Sequence, residues 1–325
     1  MTSIVTHRTR SVGEHGQLNA GLLRSLVGHP HGGTLLHFWA STAPEHPGLI
    51  RTLGAWHERY RPLGLAFLSV HVPEYTFSED PGVLETAARR AGIAWPVVND
   101  RGGGLATRFR HHGTPHLILL NPAGQVVDDH LGDHVGAVET SLRQLLSQGG
   151  IRLPAQSDRG VHTHRFGTRC HPSSPTTYFG HERGLYTNAD QIVPEAPTTY
   201  RTTETNVLGP ALHGMWSVGR EAVRSVTTGH HYLATHISGL TVFLVTRAEH
   251  PGAAIRLQLG SRPLPAHLWG RDVAANGEHA LLAIHEPGLY QLVASQRLLP
   301  PTELRLYPTH PGIELYALHT TGCLM

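Results

Sequence analysis

The sequence predicts an α/β layered domain over residues 1–150 and an all-β domain over residues 176–325. In the first half, buried-strand patterns alternate with helical patterns, which is typical of an α/β layer architecture. After residue 175 only short strands separated by Gly and Pro turns follow, and these favour a β-sandwich of the jelly-roll type. A chain of 325 residues also suits two cores better than one.

The elements of the first domain can be read in order. A buried strand at 34–40 is followed by a helix from about Glu45 to Tyr60, in which apolar residues recur at helical spacing. The other elements are a strand at 65–72, a helix at 80–92 with an Asp-Pro start and a Gly stop, a short strand at 95–100, a hairpin around 121–124 and a helix at 134–148.

Residues 149–175 show no periodicity and are rich in Gly, Pro, Ser and Arg, which predicts a linker over 151–175. A structureless segment of this length is more than a simple connection needs. We therefore expect the linker to pack over the cleft of the first domain, and we expect the two domains to share a large interface.

Composition narrows the class of protein. The formal net charge is +2 and all 26 basic residues are Arg, so neither nucleic acid nor an anionic membrane is expected as a partner. No apolar run approaches the roughly 20 residues of a membrane span, and the first residues lack the apolar core of a signal segment. Two cysteines are too few for a disulfide scaffold. A cytoplasmic protein is the simplest interpretation, and the oligomeric state stays open.

Several segments resemble a known family. Phe38, Trp39 and Trp56 stand in register with the pattern F-W-T-Y-S-C-x-N-C and its following Trp in the thioredoxin-like domain of the TlpA and DipZ group. Further segments with such a resemblance are "GLAFLSVHVPEYTF", "GTPHLILLNPAGQV", "SPTTYFGHER" and "GIELYALHTTG". The resemblance spans about residues 20–322. It implies a thioredoxin-like domain followed by a carbohydrate-binding-module-like β-sandwich.

The chain departs from that family at the chemistry. The two catalytic cysteines of the pattern correspond to Ala43 and His46, and a Glu of the later segment corresponds to Thr176. Thiol–disulfide exchange needs a thiolate and a second sulfur that resolves the mixed disulfide. Ala43 supplies neither, so we expect no Cys-x-x-Cys oxidoreductase activity.

The resemblance also places a ligand groove. Thr114-Pro115 matches the residue pair at the cis-proline of thioredoxins, whose loop faces the active-site turn. It implies ligand-binding positions at Trp39, Ala43, Thr114, Pro115 and His116. The alternative is that this loop is only a structural relic.

Two candidate catalytic residues and three candidate metal ligands follow. A helix N-terminus lowers the pKa of His46, and a neutral imidazole there could act as a base; alternatively, it simply occupies a partly exposed turn.

Cys170 could be a nucleophile or a ligand together with His162, His164 and His171, and zinc or copper favours such ligands. The alternative is a solvated Arg/His linker with no bound cofactor.

The second domain offers fewer candidates. Alternation on a predicted strand puts His230 and His236 on one face and His231 on the other, and we interpret all three as surface residues. Trp216 is predicted to lie in the core. Trp269, in a Gly/Pro-flanked loop, is the candidate aromatic platform for a sugar.

Two functional hypotheses of different class remain. The first is a redox-inactive binding or scaffolding protein that holds a small molecule or an extended peptide in an interdomain cleft. The second is a repurposed enzyme in which His46, His116 and Cys170 line one pocket and supply acid–base, nucleophilic or metal-dependent chemistry.

Overall fold

A computed structural model describes residues 10–11, 31–44, 47–132, 134–153, 171–187, 189–201 and 209–322. The chain divides into two compact units, residues 1–166 and 167–325. Most of the predicted linker, at 154–170, lies outside the described residues. Its packing over a cleft therefore stays a prediction.

The first unit is a six-stranded sheet with helices on both faces, as the alternating pattern predicts. Its strands run in the order β1-β4-β3-β2-β5-β6, with β1 to β4 mutually parallel and the β5–β6 hairpin antiparallel. The elements are β1 (Arg10–Ser11), β2 (Thr34–Trp39), α1 (Pro47–Tyr60), β3 (Ala66–His71), α2 (Pro81–Ala91), β4 (Val97–Asn99), α3 (Gly104–Arg108), β5 (His116–Leu120), β6 (Val126–Leu131) and α4 (Val135–Gln148).

Local chemistry explains where the helices begin and end. The Asp80 carboxylate accepts hydrogen bonds from the amides of Gly82 and Val83 at 2.7 and 3.2 Å, which caps the first turn of α2. Gly92 ends that helix with a φ of +78°, a conformation that glycine adopts without strain. The sequence patterns did not predict the short helix α3, which starts within a run of glycines.

Both faces of the central strands β2 and β3 are buried, which explains why these strands are apolar along most of their length. One face packs on α1, α2 and α4, with Trp39 and Trp56 in its core. The other packs on α3, with Phe38 and Phe109 in its core. Successive residues of one strand thus belong to different cores.

The second unit is built from an eleven-stranded sheet in which all strand pairs are antiparallel. Its strands are β7 (Thr177–Tyr178), β8 (Pro197–Tyr200), β9 (Ala211–Val218), β10 (Val223–Ser225), β11 (Tyr232–Ala248), β12 (Ala254–Leu259), β13 (Arg262–Pro263), β14 (Val273–Asn276), β15 (His279–Ala283), β16 (Gly288–Pro308) and β17 (Ile313–Thr321).

Strand β11 pairs with β9, β16 and β17, and β10 pairs with both β17 and β9. A closed circuit is therefore formed by four strands, β9, β11, β17 and β10, each paired with the next. The strand-rich character of this unit agrees with the sequence. Its arrangement as a jelly-roll sandwich stays a prediction. In the described part of the chain, no helix is long and apolar enough to span a membrane.

Two side chains of this unit test the sequence patterns. Trp216 is fully buried, as predicted. His231 was expected at the surface, and this expectation is wrong: it is 1% exposed and packs edge-on against Trp216, with ring centroids 5.1 Å apart. Gly214 makes room for it, because a Cβ at that glycine would lie 2.4 Å from the His231 Cβ.

Candidate functional site

The candidate site lies where three parallel strands of the first unit end together. Trp39 is the last residue of β2, His71 of β3 and Asn99 of β4, and these residues are neighbours in the strand register. The antiparallel strand β5 begins at the same edge, because its first residue, His116, pairs with Phe38. In open α/β sheets, ligands bind outside the carboxyl ends of the strands.

The turn after β2 occupies the place where the family resemblance puts the redox pair. The Ala43 amide donates to the Ala40 carbonyl at 3.2 Å, and the Ala43 side chain is partly exposed. The buried Thr42 hydroxyl donates to Glu74 Oε2 at 3.1 Å. The described part of this turn therefore presents a hydroxyl and a methyl group, and the carboxylate of Glu74 lies beside it.

A hydrogen-bonded chain of three side chains spans this edge. Ser41 Oγ lies 2.9 Å from His71 Nε2, and His71 Nδ1 lies 3.1 Å from Asn99 Oδ1. His71 is fully buried, and this burial lowers the pKa of its imidazole to about 4, although the Asn99 hydrogen bond acts in the opposite direction. The imidazole is therefore neutral near pH 7 and can accept a proton.

A second polar chain involves His116, which the family resemblance had selected. His116 Nε2 lies 2.6 Å from Asp129 Oδ1, and its Nδ1 lies 3.2 Å from His111 Nδ1. Burial, and then the neighbouring His116 and His112, lower the pKa of His111 to about 4. When His116 Nε2 donates to Asp129, its Nδ1 can accept a hydrogen bond from His111 Nδ1.

The two chains lie on opposite faces of the sheet. His71 is paired with Trp39 and lies on the same face of the sheet as Trp39, with ring centroids 5.4 Å apart. His116 is paired with Phe38, whose ring stacks on both His111 and His116 at 5.0 and 5.5 Å. Strand β2 therefore separates them.

The loop before β5 carries the other predicted ligand positions. The Thr114–Pro115 peptide bond is cis, Thr114 is exposed and Pro115 is partly exposed. The Pro115 carbonyl accepts from the Gly132 amide at 2.8 Å, which ties the loop to the end of β6.

Trp39, also predicted to bind ligand, is only 3% exposed and packs in the core. Its indole N–H has no hydrogen-bond partner in the described part of the chain. A ligand contact at Trp39, Ala43, Thr114, Pro115 or His116 stays a prediction.

Several sequence-predicted residues lie outside the described ranges, namely His46, His162, His164 and Cys170, and so does the second cysteine, Cys323. The catalytic roles of His46 and Cys170, and the pocket that they would share with His116, stay predictions. His171 is exposed, and its amide donates to the Gly322 carbonyl at 3.0 Å. Within the ranges that the structure describes, no group of three or more His, Cys, Asp or Glu residues could hold a metal ion. Zinc or copper binding stays a prediction.

Sequence reasoning missed the chain of Ser41, His71 and Asn99. These residues belong to three separate segments, so no local spacing connects them. A signal was nevertheless present, because His71 and Asn99 lie at the ends of two predicted strands, "LAFLSVHV" and "WPVVND". If those strands are parallel neighbours of β2, their ends meet beside its turn.

The chain is similar to several known proteins. Residues 174–321 match the family model described as "Thioredoxin like C-terminal domain". Protein DipZ of Mycobacterium tuberculosis is 32% identical over 297 residues, which covers 87% of this chain and 38% of DipZ. The same values hold for Protein DipZ of Mycobacterium bovis. The chain therefore spans well under half the length of these relatives.

Two further similarities are more limited. The thioredoxin-like protein SkfH of Bacillus subtilis is 28% identical over 100 residues, which covers 30% of this chain and 68% of SkfH. A solved thiol-disulfide oxidoreductase from Bacteroides fragilis is 22% identical with a TM-score of 0.29, covering 33% of this chain and 80% of that one, a likeness too weak to bear on function. The family model, the DipZ matches and the SkfH match show that the chain contains a thioredoxin-like domain and has DipZ proteins among its homologues.

Proposed function

We propose that this chain is a thioredoxin-like protein that carries out no thiol–disulfide exchange at the turn after β2 and uses that sheet edge to bind a small polar molecule or an extended peptide. The observation that carries the proposal is Ala43, a methyl group where the family pattern has its first cysteine. Both cysteines of the chain, Cys170 and Cys323, lie far from that turn in sequence. Without a thiolate at the turn, no mixed disulfide forms there.

The side chains at this edge suit an uncharged ligand. Ser41 contributes a partly exposed hydroxyl group, and the imidazole of His71 is neutral near pH 7 because burial lowers its pKa. Ala43 and Thr114 are at least partly exposed. Hydroxyls and small apolar groups match the amides and side chains of an extended peptide, which needs hydrogen-bond partners without a net charge.

The redox half of the proposal is tested by insulin reduction driven by dithiothreitol. We expect the wild-type chain to stay at the background rate and the double variant Ala43→Cys, His46→Cys to gain activity, because the thioredoxin-like sheet is already present. Turnover of the wild type at a rate typical of thioredoxins would overturn the proposal. Activity that disappears in Cys170→Ser would instead favour the repurposed-enzyme hypothesis.

The binding half is tested with reduced, carboxymethylated α-lactalbumin, a permanently unfolded polypeptide. Ser41→Trp should weaken binding at least roughly tenfold, because the indole would cover the partly exposed edge. Ser147→Trp, on the exposed side of α4, is the matched control and should bind like the wild type. Equal affinity of all three proteins would contradict a binding site at this edge.

A second candidate function, an enzyme that uses none of His46, His116 and Cys170, is favoured by one specific observation, the hydrogen bond between Ser41 and His71.

A further inference from the structure

The chain of Ser41, His71 and Asn99 has the connectivity of a nucleophile, a base and a group that orients the base. Ser41 lies in the turn after β2, while His71 and Asn99 end β3 and β4. The two distances, 2.9 Å from Ser41 Oγ to His71 Nε2 and 3.1 Å from His71 Nδ1 to Asn99 Oδ1, are both within hydrogen-bond range.

The direction of these hydrogen bonds follows from a fourth group. The Asn99 Nδ2 amide donates to the backbone carbonyl of Glu79 at 2.9 Å, and a carbonyl can only accept. The Asn99 oxygen therefore faces His71 and accepts from its Nδ1–H. This leaves the lone pair on Nε2, so the Ser41 hydroxyl donates to His71.

The proposed nucleophile is more exposed than the two residues behind it, as a reaction with a molecule from solution requires. His71 and Asn99 are 0% and 2% exposed, so their geometry is held by the fold. Ser41 is partly exposed, so its oxygen can meet a molecule from solution. Burial keeps His71 neutral, and the low pKa also makes it a weak base. A weak base activates a hydroxyl only toward strongly electrophilic carbonyl groups.

We propose that Ser41 is a nucleophile for acyl transfer, with His71 as its general base and Asn99 as the positioning residue, and that esters with good leaving groups are its substrates. Ser41 Oγ forms a bond to the carbonyl carbon, and its proton moves to His71 Nε2. The bond from that carbon to the leaving oxygen breaks, and His71 returns the proton to this oxygen. Water then attacks the carbonyl carbon of the acylated Ser41 and gives a proton to His71 Nε2. The bond from that carbon to Ser41 Oγ breaks, His71 returns the proton to Oγ, and the free acid leaves.

A second serine–histidine pair in the first unit, Ser69 with His37, can be compared with the pair of Ser41 and His71. Ser69 Oγ accepts from Trp95 Nε1 at 2.8 Å and lies 3.0 Å from His37 Nδ1, so it also pairs with an imidazole. Ser69 is fully buried, and no reagent can reach it without unfolding. Of these two serine–histidine pairs, only the one at the sheet edge is open to a substrate.

The test is labelling of the full-length chain with a biotinylated fluorophosphonate. Here Ser41 forms a phosphorus–oxygen bond, fluoride leaves and the serine proton passes to His71. We expect label on Ser41 and none on Ser69 by peptide mapping, loss of the label in Ser41→Ala, and labelling slowed by roughly 100-fold in His71→Gln. Ser147→Ala, which removes an exposed serine of α4, should label like the wild type.

A wild type that labels no faster than Ser41→Ala, or label found on another serine, would overturn the proposal. Nitrogen NMR of the imidazole gives a second readout that needs no reagent: His71 should carry its proton on Nδ1 in the wild type and become a tautomer mixture in Asn99→Ala. A wild-type proton on Nε2 would also overturn it. The labelling is independent of polypeptide binding at the edge, so the two proposals can fail separately.

Discussion

His116 and Asp129 are hydrogen-bonded at 2.6 Å between the neighbouring strands β5 and β6, with the imidazole 2% and the carboxylate 53% exposed. A buried ring N–H is thus paired with an acceptor that remains in contact with water. The pair links the first residue of β5, at the edge that holds the candidate site, to strand β6.

Removing this acceptor should destabilise the first unit. We expect Asp129→Ala to lower the free energy of unfolding by about 1 kcal/mol, because the buried His116 N–H loses its partner. Asp129→Asn should lose less, since an amide oxygen still accepts the hydrogen bond. Urea denaturation measures both, with Glu85→Ala, an exposed change on α2, as the control. Equal stability of Asp129→Ala and the control would show that the pair contributes nothing.

His71 should make the first unit sensitive to acid. Its pKa is about 4 in the folded chain and 6.5 when unperturbed, so the unfolded state binds the proton first as pH falls. The stability from neutral His71 is complete above pH 6.5 and decreases toward pH 4, by about 3 kcal/mol in total. Urea denaturation at pH 7.5, 6 and 4.5 should give a flatter profile for His71→Gln. Parallel profiles for the two proteins would contradict the burial argument.

Glu314 should have the corresponding role in the second unit. Burial raises the pKa of this carboxyl, but hydrogen bonds from Arg247, at 2.6 and 3.0 Å, and from Tyr316 outweigh burial and lower it. The stability it gives is present above its unfolded pKa and is lost as pH falls through the lower folded pKa. Glu314→Gln should cost about 2 kcal/mol at pH 7 and reduce this acid sensitivity.

The control for that variant is Glu182→Gln, which breaks an exposed ion pair with Arg220. Exposed pairs are screened by water, so no measurable change is expected in urea denaturation. An equal loss in both variants would mean that burial of Glu314 has no special effect.

Trp269 should act as a core residue. Its indole N–H donates to the Leu264 carbonyl at 2.8 Å, and the ring packs against the core of the second unit. We expect Trp269→Ala to lower the free energy of unfolding by about 2 kcal/mol, and Trp269→Phe to lose less because the ring still packs. Calorimetry measures both. Unchanged stability together with lost retention on a polysaccharide gel would instead support a sugar platform.

The sequence predicts best those features that local chemistry determines. Helix α2 begins and ends as expected, because the Asp80 cap and the Gly92 stop act within a few residues. Strand β16 shows where this fails: Pro300 and Pro301 indicate a break, yet one strand continues through them from Gly288 to Pro308. Its register with β11 shifts near Gly239, and such irregularities tolerate prolines that a regular ladder would exclude.

The candidate site was predictable only in part, for the same reason. The family resemblance selects His116 through its position beside Thr114-Pro115, but it says nothing about Asp129, which meets His116 only through pairing of β5 and β6. Ser41 and His71 meet only because β2 and β3 are parallel. Long-range register, which no window of sequence contains, decides these contacts.

The pairing of β11 with β9, β16 and β17 has a consequence for how the second unit acquires its structure. Residues 241–248 of β11 pair with β17, so this part of the strand lacks that neighbour until residues 313–321 are in place. Contacts so distant in sequence close slowly, and a strand without its neighbour offers its free edge to other chains. A chain shortened before Ile313 would therefore expose this edge of β11 as a site for aggregation.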